Sequence, residues 1–85
     1  MKKFEFTVKD ELGIHARPAG MLTKEAKKYS STITLAKDGK EVNVLKLMAL
    51  MGLGVKCGET VTVTIEGDDE DTCAPAIEAF FNDNF

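Results

Sequence analysis

Four short runs of this chain alternate apolar with polar residues, and the segments that separate and follow them switch to apolar spacings of three and four. That change of period constrains the fold more than any single residue does, because alternation buries one face of a strand and the longer spacing buries one stripe of a helix. Phe4, Phe6 and Val8 alternate with Lys3, Glu5 and Thr7, and Ile33 and Leu35 are followed by Val42 and Val44. Val61, Val63 and Ile65 alternate with Thr60, Thr62, Thr64 and Glu66. Ala19, Leu22, Ala26 and Tyr29 make a helical stripe within residues 16–28, and Cys73, Ile77 and Phe80, with Ala76 beside them, make another near the end. The order is βαββαβ followed by a helix. A chain of 85 residues has room for one modest core, burying roughly 60 to 65 percent of its unfolded surface. The expectation is one α+β domain over residues 1–85, a single sheet covered by helices on one face and polar on the other.

The punctuation between these runs sharpens the outline. Asp38-Gly39 predicts a tight turn joining two antiparallel strands. Pro18 suits the opening of the first helix. Residues 46–53 read as a short helix that Gly54 closes with a left-handed cap. That helix is apolar nearly all round, and spacing alone leaves two readings: it is buried, or it leaves some of Leu47, Met48 and Met51 exposed as a contact patch. Pro75 breaks a helix interior, so the last helix is expected to start late, with Thr72 as its cap and Pro75 in its first turn. The acids from Asp68 to Asp71 suit that helix end. Gly20 lies inside the first helix, where it costs about 1 kcal/mol relative to Ala, which hints at close approach by a neighbour. Arg17, Met21, Lys24 and Lys28 form a second stripe on that helix, a solvated face on which Met21 is a candidate contact residue.

Hydrophobic residues at 44% and charged residues at 29% fit a soluble globular chain. No apolar run approaches the ~20 residues needed to cross a bilayer. The Met-Lys-Lys start leads into an alternating run rather than the continuous apolar core of a signal peptide, so a cytoplasmic location and no membrane partner are expected. Two cysteines, Cys57 and Cys73, and one histidine are a poor basis for a metal site. Free thiols, no metal and no cofactor are expected. All 11 Lys and Arg residues lie between Lys2 and Lys56, which leaves the chain up to Lys56 at +5 and the remainder at −8. The basic part can steer an acidic partner, although such asymmetry also suits a solvated surface. A pI near 5.1 and a single arginine disfavour nucleic acid.

The one histidine lies in the basic part, within Gly13-Ile14-His15-Ala16-Arg17-Pro18-Ala19, immediately before the first helix. Free backbone N–H groups and the helix dipole make such an end attractive to an anion. Arg17 adds a fork of donors that suits phosphate oxygens. A neutral imidazole there is a nucleophile, and the same helix end welcomes a phosphate dianion once it is attached.

These residues carry a resemblance. Over essentially its whole length the chain resembles the HPr family, the histidine-containing phosphocarriers of the bacterial phosphoenolpyruvate-dependent sugar phosphotransferase system. The segment from Gly13 to Ala19 matches the family's active-site motif, and the stretch from Val42-Asn43 through Met48, Met51 and Leu53-Gly54 matches its second-helix region. The resemblance implies an open-faced β-sandwich, a four-stranded antiparallel sheet with three helices on one face. It implies that His15 takes a phosphoryl group on Nδ1 from phosphorylated enzyme I and gives it to EIIA domains of sugar permeases, with Arg17 stabilising the phosphate. It places the helix start at Ala16 with His15 as cap, whereas the preference of residues before proline for extended angles starts it at Pro18. Partner docking through the first two helices nominates Ala16, Gly20, Met21, Lys24, Leu47, Met48 and Met51, and favours the exposed reading of the short helix. A monomer is expected.

Two positions depart from the family pattern. Lys46 stands where many Gram-positive members have a regulatory serine, and no Ser or Thr occurs between Leu35 and Glu59 to replace it. Leu12 stands where relatives often have a small polar residue near the active site. The rival reading is a binding-only regulatory module of the same fold, which has no need of a histidine at a helix end. An enzyme lacks support, because no second acid–base group is matched to His15 and no nucleotide loop is present.

Overall fold

The computed structural model describes residues 1–85, with elements β1 (Lys2–Thr7), α1 (Ala16–Ala26), β2 (Thr32–Lys37), β3 (Lys40–Asn43), α2 (Leu47–Gly52), β4 (Thr60–Glu66) and α3 (Glu70–Asn84). The strands form one sheet in the order β1-β4-β2-β3, antiparallel at every pairing. Phe6 lies opposite Val61, Leu35 opposite Val63 and Ile33 opposite Ile65, so the alternating apolar residues share the inner face. Those six side chains are buried, while Thr60 is exposed and Thr62 and Thr64 are half-buried on the other face. Ala19, Leu22 and Ala26 of α1, Leu50 of α2 and Cys73, Ile77 and Phe81 of α3 close over that inner face in one core cluster. The hairpin turns at Asp38 (φ 50°) and Gly39 (φ 84°), two positive-φ residues between paired Lys37 and Lys40, as a type I′ connection requires.

Helix α1 starts at Ala16 behind His15, whose backbone is extended (φ −110°, ψ 174°). The start at Pro18 expected from the residues alone is therefore two positions late. Pro18 is the third helical residue, where the missing N–H has no intrahelical acceptor to lose, and its burial beside Ala19 and Leu22 holds Arg17 in the turn. The helix ends at Ala26 rather than residue 28, because Lys28 and Tyr29 bond to the carbonyls of Glu25 and Ala26 and tighten the last turn into i→i+3 geometry. Helix α2 is one residue shorter at each end than expected, and Gly54 beyond it has a φ of 63°. The buried Thr23 hydroxyl, 2.8 Å from the Val44 carbonyl, ties α1 to the chain leaving β3.

Helix α3 differs most from the expectation. It begins at Glu70 behind Asp69, and Pro75 is its sixth residue. A tertiary tie explains the early start: the Asp69 carboxylate accepts the Ser30 and Ser31 amides at 2.9 and 3.0 Å and the Ser31 hydroxyl as well. Glu70 accepts the Gly67 amide at 3.2 Å and pairs with the Met1 amine at 2.6 Å. The bond that Pro75 cannot make to Asp71 falls on an exposed face, where the carbonyl is open to solvent. The buried stripe is Cys73, Ile77 and Phe81, and Phe80 is only partly covered. Phe81 lies edge-on to Phe4 and Phe6 at 5.9 and 5.4 Å and tilted against Phe85 at 5.1 Å.

Both cysteines are free, as expected, but their settings differ: Cys57 is exposed, and burial pushes the Cys73 thiol up to about 11. No helix is long and apolar enough to cross a membrane.

Candidate functional site

The loop from Val8 to His15 is held at several points before it reaches the histidine. Val8 closes β1 by donating to the Glu59 carbonyl at 2.9 Å and accepting from the Gly58 amide at 2.8 Å. The Lys9 and Asp10 amides both donate to the Phe85 main-chain oxygen, at 2.6 and 2.7 Å, so the end of α3 braces the loop from one side. The Ile14 amide donates to the Val55 carbonyl at 3.0 Å and braces it from the other. Gly13 makes that second approach possible. Its φ is +70°, and a Cβ there would stand 2.2 Å from the Val55 oxygen.

Asp10 turns this loop inward. One carboxylate oxygen accepts the Leu12 amide at 2.9 Å, and the other lies 3.4 Å from His15 Nε2. The Leu12 amide, with a smaller contribution from the His15 ring, holds the Asp10 carboxyl below the usual carboxylate range. His15 caps α1 by position but makes no side-chain cap bond, and its side chain is 33% exposed. Ring and helix end are therefore both accessible.

The first carbonyl of α1 to be used is that of His15, which accepts the Ala19 amide at 3.0 Å. The Ala16 and Arg17 amides consequently have no acceptor within the chain, and the helix has no acid in its first turn. Arg17 is exposed and forms no ion pair. Asp10, His15, Arg17, Pro18, Met21, Asp83 and Asn84 line a shallow cleft of about 260 Å³. Two orphan amides, a free guanidinium and an imidazole beside an open cleft suit a small, strongly charged anion that can be attached to the ring.

Around this cleft the nominated contact residues fall on adjacent helices. Gly20, Met21 and Lys24 lie on α1, with Met21 43% exposed, and Ala16 is also exposed at its start. On α2, Met48 is 83% exposed and Leu47 37%, whereas Met51 is half-buried against the core. The exposed reading of the short helix is the correct one for Leu47 and Met48. Lys46 caps α2 by position and is exposed. No neighbour within the chain demands the glycine at position 20, since a Cβ there meets nothing within 4 Å. The residue reading missed Asp10, Asp83 and Asn84. Asp10 lies five positions before the histidine, but no periodicity marks it, and the two others reach the cleft only through the docking of α3.

Comparison with known proteins agrees with this picture. The family model for the PTS HPr component phosphorylation site matches residues 2–83. The chain is 41% identical over 85 residues to the phosphocarrier protein HPr of Mycoplasma genitalium, covering 99% of this chain and 97% of that one. It is 40% identical over 80 residues to the HPr-like protein Crh of Halalkalibacterium halodurans, covering 94% and 95% of the two chains. The crystal structure of HPr from Thermoanaerobacter tengcongensis superposes with a TM-score of 0.92 at 39% identity, covering 100% of this chain and 96% of that one.

Proposed function

The chain belongs to the HPr family of the phosphotransferase system, and from that premise we propose that His15 accepts a phosphoryl group from phosphorylated enzyme I and passes it to EIIA domains. As an HPr it is a cytoplasmic phosphocarrier of that system, a reactant rather than a catalyst. The observation that carries the residue assignment is the α1 N-terminus, where the only histidine stands beside two unpaired amides and an unpaired arginine. Nδ1 of His15 is the nucleophile and later the leaving group. Arg17 and the Ala16 and Arg17 amides stabilise the phosphoryl oxygens, and Pro18 stiffens the turn that holds them.

Exposed Met21, Leu47 and Met48, together with Met51, Gly20 and Lys24, make the docking surface, with cations at its rim for the acidic faces of partners. An open Gly20 gives a partner helix a place to approach closely. Lys46 removes the hydroxyl that a regulatory kinase modifies in many relatives, and the protein works as a monomer.

The deciding experiment mixes the protein with enzyme I and phosphoenolpyruvate and assays for acid-labile phosphohistidine. The wild type becomes labelled and His15→Ala does not; equal labelling of both variants sinks the assignment. HPr kinase and ATP leave the protein unmodified; phosphate incorporated at any Ser or Thr of the chain contradicts the reading of Lys46. Sedimentation reports one chain.

A further inference from the structure

The geometry points to Asp10 as a positioning residue that fixes the reactive tautomer of His15, holding the ring proton on Nε2 so that the Nδ1 lone pair is free. This rests on the phosphocarrier reading of His15 and adds to it a residue outside the recognised motif. Three bonds hold Asp10 in place: its amide donates to Phe85, its carbonyl accepts the Gly13 amide at 2.9 Å, and one carboxylate oxygen accepts the Leu12 amide. The second oxygen is thereby aimed at the ring, 3.4 Å from Nε2, while Nδ1 has no partner within the chain.

The chemistry of the pair leaves one assignment. The Leu12 amide favours the ionised carboxylate, which can only accept hydrogen bonds. A neutral imidazole has one N–H, and the nitrogen facing a carboxylate is the one that keeps it. The contact is long for a hydrogen bond, as such pairs often are before a reaction partner is bound. The other charges lining the cleft, Asp83 and Arg17, make no hydrogen bond or ion pair with the ring.

The benefit shows in the balance of the transfer. Nδ1 donates its lone pair to phosphorus as the bond from phosphorus to the donor's nitrogen breaks, and the electron pair of that bond stays with the donor. In the reverse sense the P–N bond breaks and its electrons return to Nδ1. Because Nε2 keeps its hydrogen throughout, the group released is neutral imidazole rather than imidazolate. With the hydrogen on Nδ1, a proton would have to leave before phosphorus could be attacked.

The test has two parts. Long-range ¹H–¹⁵N correlation spectra at pH about 8, where imidazole is neutral, read the tautomer directly in the unmodified protein. A protonated Nε2 and an unprotonated Nδ1 are expected; a mixture dominated by the Nδ1–H form overturns the proposal whatever the partners do. Asp10→Asn preserves an oxygen for the Leu12 amide but places an NH₂ group against the ring, so it should shift the population toward Nδ1–H. Phosphorylation by the small donor phosphoramidate, with no partner protein present, should slow about tenfold in that variant, an effect of the size seen when an orienting group behind a histidine is lost. Unchanged tautomer and unchanged rate in Asp10→Asn reject a positioning role. Failure of enzyme I to label a wild type that phosphoramidate labels rejects the partner reading and leaves the tautomer result to judge Asp10.

Discussion

At its N-terminus α3 is filled by the protein's own acids, whereas α1 begins on an imidazole, two unpaired amides and a free guanidinium. Asp69 takes three donors from Ser30 and Ser31, Glu70 takes the Gly67 amide and the Met1 amine, and Asp71 meets Lys2 at 3.1 Å. Both ends carry the same partial positive charge. One lies among the acids that fasten the fold; the other is left open, which in the proposed function suits an anion that comes and goes. A permanent acid at α1 would satisfy the helix and, on the proposed function, occupy the place of the phosphoryl group.

Making the two ends alike is the most severe test of this contrast. Ala16→Glu puts an acid into the first turn of α1 at an exposed position. It should slow phosphoryl uptake from enzyme I by about tenfold or more through like-charge repulsion, while thermal unfolding shows the helix stabilised by ~0.3 to 1 kcal/mol. Uptake at the wild-type rate would mean that the open helix end plays no part in holding the phosphate.

The converse change acts on α3. Ser31 and the Ser30 amide hold Asp69 below its ordinary range, and the Met1 amine, then the Gly67 amide, do so for Glu70. Depressed folded pKa values mean that these groups contribute fully above their unfolded pKa, near 4, and that the contribution is lost as pH falls through the lower folded values. Asp69→Asn should lower the melting temperature at pH 7 by several degrees, flatten the loss of stability below pH about 4, and leave phosphoryl uptake within about twofold of wild type. A steep acid limb that survives the substitution assigns the acid sensitivity elsewhere. The smallest effect is expected of Arg17→Lys, which keeps the charge and loses the fork: uptake slows about threefold, and salt suppresses it as much as in the wild type.

The strands were legible because each side chain that marks them also faces the core, as Val61, Val63 and Ile65 do. The start of α3 was not, because Pro75 speaks only for its own turn while Asp69 is fastened to Ser30 and Ser31 across 39 and 38 residues. Phe80 and Phe81 are adjacent aromatics of equal hydrophobicity, and only the positions of Phe4 and Phe6 decide which is buried. In the candidate site, the place of His15 before a helix and of Arg17 in its first turn could be read from the sequence. Asp10 could not, since a carboxylate in a polar loop acquires a direction only when Phe85 grips the loop from the far end of the chain.

That grip sets an order of events during synthesis. Strand β1 pairs with no strand but β4, and the amides of Lys9 and Asp10 close on an oxygen of residue 85. A nascent chain thus exposes its histidine segment early and can finish shaping it only after residue 85 has been translated. Contacts this distant in sequence form late and slowly. An incomplete chain therefore displays His15 without the brace that residue 85 supplies to its loop.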